Sequence, residues 1–212
     1  RPLPEKLTLF WHGLLTSGRK KVGDNAQMMA QNGLFKQEGM GSYQTLLEKI
    51  GRDPAMLKWL DSRSNKKKAP NENYARELME LFTLSPGFYS EEDVREASRA
   101  FTGWGLTRGG FEFIDRLHDY DNKTFLDETG NFDGDDIVRI ILSQPQAARY
   151  ITTRLWEFFA YEDPESTVID RLSAVFVSSN YVIKDVMRAL LTSPEFYSHR
   201  AYRTQIKSPT DM

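Results

Sequence analysis

The stretch PNENYARELMEL, residues 70–81, sets Asn73, Glu77 and Glu80 at helical spacing, with Asn71, Glu72 and Arg76 beside them. At about 100° per residue the three fall on one stripe. Such a stripe has two readings. One is a solvated face knitted by Glu72–Arg76 and Arg76–Glu80 pairs at i,i+4, each worth about 0.3 kcal/mol. The other is the wall of a cleft, in which Asn71, Asn73 and Arg76 bind and Glu77 or Glu80 serves as a general base. His118 or Lys123 is the candidate partner for acid–base work; Glu77, Glu80, His118 and Asp119 form the catalytic candidates, and Asn71, Asn73, Arg76, Trp104 and Lys123 the binding candidates. Trp104, between Gly103 and Gly105, either walls a pocket or plugs a helix end.

Metal chemistry has His12, Glu77 and His118 as its candidate ligands, since zinc, iron and manganese accept imidazole and carboxylate. Their spacing is not diagnostic: there is no His-x-x-x-His and no His-Glu-x-x-His. His12, beside Phe10 and Trp11, reads as a hydrogen-bonded structural histidine. The acidic stretch DETGNFDGDD fails as a calcium loop. With Gly134 in the loop's glycine position, Ile140 falls where the bidentate glutamate belongs. No cofactor is required by the sequence, and a divalent metal stays open as a candidate. The absence of cysteine excludes disulfides, zinc–thiolate sites, iron–sulfur clusters and thiol nucleophiles. No G-x-S-x-G elbow and no P-loop are present.

The elements that must position these residues are helices. With 212 residues, 40% hydrophobic and 27% charged, the composition is that of a globular chain able to bury its own core. No apolar run approaches the roughly 20 residues a membrane-spanning helix needs. Asp53-Pro54, Asp163-Pro164, Ser193-Pro194 and, more weakly, Gln144-Pro145 each set a capping residue before a proline at the first helical position. Ser90-Glu91-Glu92-Asp93 and the acids after Asp133 open two more helices, and Gly103 is a stop. On the helix around residues 70–82, Tyr74, Ala75, Leu78, Met79, Leu81 and Phe82 form the apolar half opposite the polar stripe. The expected fold is mainly α: a compact bundle of about ten short helices over residues 1–212, with one small β-hairpin inserted at about 109–133. The chain opens without Met and is expected to be the C-terminal part of a longer protein.

A formal net charge of −2 gives no general pull toward polyanions. The run Arg63, Lys66, Lys67 and Lys68 stands alone in the sequence, with no exposed aromatics expected near it. It reads as a solvated loop, or as a dock for an acidic partner or anionic lipid headgroups; no nucleic acid is expected.

Six blocks resemble a known family when taken in order: LTLFWHGLLTS, DPAMLKWLD, PNENYARELMELFTL, YSEEDVREASRAFTGW, HDYDNKTFL and GDDIVRIIL. The chain is similar, from about Leu7 to Phe196, to the DUF1800 family of uncharacterised bacterial proteins. Members commonly carry Trp-His-Gly-His-Phe where this chain has Trp11-His12-Gly13-Leu14-Leu15, and Leu-Gly where it has Leu84-Ser85. The resemblance implies a helical protein of the bacterial periplasm or envelope. It also implies a protein encoded by a neighbouring gene as partner, and carries no established activity. Two functions follow as expectations: a helical binding or scaffold module, or a metal- or carboxylate-dependent, hydrolase-like enzyme with its site at the PNEN helix and the His118-Asp119 corner.

Overall fold

In the computed structural model, residues 2–204 are described; Arg1 and residues 205–212 lie outside them. Asp53 caps a helix by accepting from the Met56 amide, with Pro54 at the first turn as its missing N–H requires. Ser90–Asp93 and Asp133–Asp136 both close reciprocal capping boxes, which satisfy amide groups that no helical carbonyl reaches. The helices before the first strand are α1 (Pro2–Leu14), α2 (Arg19–Val22), α3 (Asn25–Glu38), α4 (Tyr43–Gly51), α5 (Pro54–Trp59), α6 (Asn73–Glu77) and α7 (Glu91–Ala100). After the strands come α8 (Gly134–Ser143), α9 (Pro145–Phe159), α10 (Ser166–Ser178) and α11 (Ile183–Leu191). Buried apolar side chains from Leu7 to Leu190 form one cluster, to which every α-helix except α2 contributes.

Two antiparallel hairpins are present rather than the one expected at 109–133. The first pairs β1 (Trp104–Thr107) with β2 (Gly110–Phe113), and the second pairs β3 (Lys123–Phe125) with β4 (Glu128–Gly130). β1 starts ahead of the expected insertion because residues 63–65 zip along it. The Asn65 amide donates to the Trp104 carbonyl, the Leu106 amide to Arg63, and Ser64 faces Gly105 across a bridge. Gly103, at φ +87°, makes the left-handed turn between α7 and β1.

Other helix starts differ from expectation. Asp163 takes φ +53° instead of capping, and α10 begins at Ser166 after Glu165. The cause is tertiary: the Arg200 guanidinium donates to the carbonyls of Glu162 and Asp163 and to the Glu165 carboxylate, holding that loop in place. Ser193-Pro194 opens only a 3-10 turn.

The loop before α4 is tied to the segment before α11. Ser42 bridges Val182, the Ile183 amide donates to the Gly41 carbonyl, and the Tyr43 amide donates to Tyr181. No helix among the described residues is long and apolar enough to cross a membrane.

Candidate functional site at the Glu77 cleft

The helix of residues 73–83 changes its hydrogen-bond spacing midway. Asn73–Glu77 is α-helical, but Leu78–Thr83 forms a π-turn, closed when the Leu84 amide donates to the Met79 carbonyl. One extra residue per turn rotates Leu81 off the apolar half, so that it is 48% exposed while Leu78, Met79 and Phe82 stay buried. A widened turn leaves carbonyls without their usual helical donors. Here side chains supply them: Thr83 Oγ1 donates to Leu78 O at 2.5 Å, Tyr150 Oη to Leu81 O at 2.5 Å and Tyr43 Oη to Phe82 O. Gln146 Nε2 adds a bond to Leu84 O at 3.2 Å. Turns of this kind recur at functional sites.

Leu81 thereby joins a cleft of about 330 Å³ between the end of α1, the end of α5, the π-turn and α9. Glu77 lines it, with Leu14, Thr16, Trp59, Tyr150 and Arg154 around it. Arg154 and Leu14 also line an adjoining depression that holds Glu157, Glu162 and Asp163, and Arg154 and Tyr150 line a third with Ser85 and Thr153. The three therefore meet around Arg154, whose own ion-pair partner is Glu157 at 3.2 Å.

Glu77 is half-buried and makes no hydrogen bond or ion pair among the described residues. Burial pushes its carboxyl above the ordinary range, the neighbouring Glu80 charge adds to the rise, and Arg76 opposes it. The Tyr150 hydroxyl is raised by its own burial and is committed to Leu81 O. The Glu77 carboxylate is therefore uncommitted in this cleft, able to accept a proton or to receive a cation or donor from a ligand.

The other sequence candidates have structural partners. Asn71 Nδ2 donates to Asp61 O, its Oδ1 accepts from the Asn73 amide, and Asn73 Nδ2 donates to Leu60 O, which ties the PNEN loop to the end of α5. Arg76 pairs with Glu72 at 3.1 Å and with Glu91 at 2.8 Å, leaving Glu80 to a long 3.5 Å contact from Tyr89. Trp104 is buried edge-to-face against Phe101 and Phe111, with the Arg52 guanidinium 5.5 Å from its ring. It plugs the end of α7. Arg52 is held there by both carboxylate oxygens of Asp135.

His118, Asp119 and Lys123 form a separate knot behind α7. His118 Nδ1 lies 2.7 Å from Thr102 O, its ring between Phe113 and Tyr120. Asp119 pairs with Arg99 at 2.8 Å; burial would raise its carboxyl, but Arg99 and the Asp121 amide hold it below the ordinary range. The buried Lys123 ammonium donates to Asp119 O, Asp121 O and Asn131 Oδ1. None of these three lines the Glu77 cleft, so the structure does not bring the PNEN helix and the His118-Asp119 corner together. His12 is partly exposed, its ring 5.8 Å from that of Phe35. No group of three His, Asp or Glu placed to hold a metal occurs among the described residues. Tyr150, Arg154 and Leu81 escaped the sequence reading. Tyr150, Arg154 and Glu157 do recur at helical spacing on α9, a polar stripe that pattern alone could have flagged.

A family model described as "Protein of unknown function (DUF1800)" matches residues 1–212. The chain belongs to the DUF1800 family. No curated protein and no solved structure matches it. Leu14, where the resemblance leads one to expect a second histidine, lines the same cleft as Glu77. In this DUF1800 protein the cleft thus offers the Glu77 carboxylate, an apolar wall that includes Leu14 and Leu81, and the Arg154 guanidinium, without an imidazole.

Proposed function

We propose that this chain is a helical binding module of the bacterial cell envelope. It engages its ligand or partner through the Glu77 cleft, and a protein encoded by a neighbouring gene is the proposed partner. The observation that carries the reading is an unpaired, partly desolvated carboxylate facing an apolar wall. A carboxylate so placed binds strongly only when a ligand brings a cation or donor to it. The ligand is therefore expected to present an ammonium, guanidinium or amide N–H next to an apolar group that covers Leu14 and Leu81.

The test is an NMR titration of the Leu methyl signals with benzylamine, and with benzyl alcohol as the uncharged match. The expected result is saturable shifts at Leu14 and Leu81 for the amine, weakened about tenfold in Glu77→Gln, the value of one charge-assisted contact. Equal responses of wild type and variant would overturn the reading.

One observation favours the second reading, a carboxylate-dependent enzyme: the raised carboxyl of Glu77 is a proton acceptor poised closer to neutrality. The lack of an imidazole beside it weighs toward binding. A stoichiometric transition metal in protein purified without chelators would select a metal-dependent enzyme over the binding module, and hydrolysis of a benzyl ester or amide lost in Glu77→Gln would select a carboxylate-dependent one.

A further inference from the structure

The basic run of residues 63–68 does not stand alone in space, contrary to the sequence reading. Its zip along β1 sets Arg63 opposite Leu106, two residues from Arg108 in the β1–β2 turn. At its other end the Lys67 amide donates to Leu117 O, beside Arg116. Arg63, Lys66, Lys67, Lys68, Arg108 and Arg116 are all exposed, and none forms an ion pair among the described residues. Elsewhere cations are mostly taken: Arg52, Arg76, Arg99, Arg149 and Arg171 each hold a carboxylate. Of the nearby acids, Asp61 is paired with Lys21, while Glu112 on β2 and Asp115, which keeps its charge as it accepts from the Tyr120 hydroxyl, are two counter-charges against six cations.

Exposed aromatics border the cations, the second departure from expectation. Phe113 is 44% and Tyr120 52% exposed, packed on either side of the His118 ring one residue beyond Leu117. They are exposed because the His118 knot fills the interior behind them. None of these cations or aromatics lines a described cleft.

We propose that this face docks on an anionic phospholipid surface, independently of the Glu77 cleft. Clustered Lys and Arg without intramolecular partners are drawn to a negative headgroup layer and lose that attraction as salt screens it. Half-exposed Phe and Tyr rings beside them suit the boundary between headgroups and acyl chains. A cation cluster outside any groove matches a broad planar partner better than a single extended strand, which needs a channel to track its backbone.

The experiment is co-sedimentation with vesicles of three parts phosphatidylcholine to one part phosphatidylglycerol, against pure phosphatidylcholine. Wild type should partition to the anionic vesicles at least about tenfold better than to the neutral ones. The R63Q/K66Q/K67Q/K68Q variant should lose that preference. The K36Q/K49Q/K184Q/R188Q variant, of equal net charge, should keep it. Unchanged circular dichroism melts confirm that both variants are folded. Equal partitioning to both vesicle types, or equal losses in the two variants, would overturn the proposal. So would tighter binding, at the same salt, to single-stranded DNA or to polyglutamate, since either would assign the face to a different class of partner.

Discussion

The Tyr150 hydroxyl on α9 donates at 2.5 Å to the carbonyl of Leu81, the residue that the π-turn rotates into the cleft. That bond joins two cleft walls and satisfies one of the last-turn carbonyls that a helix end leaves without an internal donor. Tyr150→Phe should therefore lower stability by about 1 kcal/mol, the net value of one such bond. Urea denaturation measures this. An unchanged midpoint would mean that the turn holds without its outside donor.

Ser85 follows the π-turn at φ +72°, a left-handed conformation that costs a residue with a Cβ about 1 kcal/mol. A glycine at this position would avoid that cost but lose more entropy on folding. On balance Ser85→Gly should stabilise the fold by ~0.5 kcal/mol. A calorimetric melt would show a raised Tm, and a lowered one would place the dominant effect in the unfolded chain.

Glu77 gives a pH signature. Its folded carboxyl titrates above the ordinary value of 4.5 because burial, and then Glu80, disfavour the charged form. The folded state therefore favours protonated Glu77. This contribution is present at low pH and is lost as pH rises through the raised value. Glu77→Gln should melt above wild type at neutral pH, and the gap should close as the buffer is taken below 4.5. A gap independent of pH would assign the effect to something other than ionisation.

Lys123 tests the knot behind α7. Its ammonium serves two carbonyls and one amide oxygen in a buried pocket. Lys123→Met fills similar volume but leaves those acceptors unpaired, at an expected cost of about 2–3 kcal/mol. Hydrogen exchange should show the loss first in the β3–β4 hairpin and the start of α8. A loss spread evenly over the chain would indicate global rather than local opening.

What was legible in the sequence was legible for local reasons. Asp53, Ser90 and Asp133 cap helices with their own side chains, so residue type and spacing sufficed. Asp163-Pro164 carries the same local signal, yet Arg200, thirty-seven residues away from Asp163, decides that loop. The π-turn was invisible because its stabilising donors, Tyr43, Gln146 and Tyr150, come from α4 and α9. For the same reason the polar stripe divided. Asn71, Asn73 and Arg76 found protein partners, whereas Glu77 was left facing the cleft. The start of β1 lies ahead of the expected hairpin because local pattern marks Trp104 only as the residue after a helix stop, whereas its backbone is recruited by residues 63–65.

The Ser42–Val182 bridge, with Ile183 bonded to Gly41 and Lys184 to Met40, makes the first third of the chain wait for the last. During synthesis Gly41 and Ser42 leave the ribosome well before Val182 and Ile183 are made. The loop between α3 and α4 must idle unpaired until α11 has cleared the exit tunnel. Nascent chains halted before residue 182 should accordingly be open to protease between Met40 and Tyr43, and closed to it once α11 has emerged.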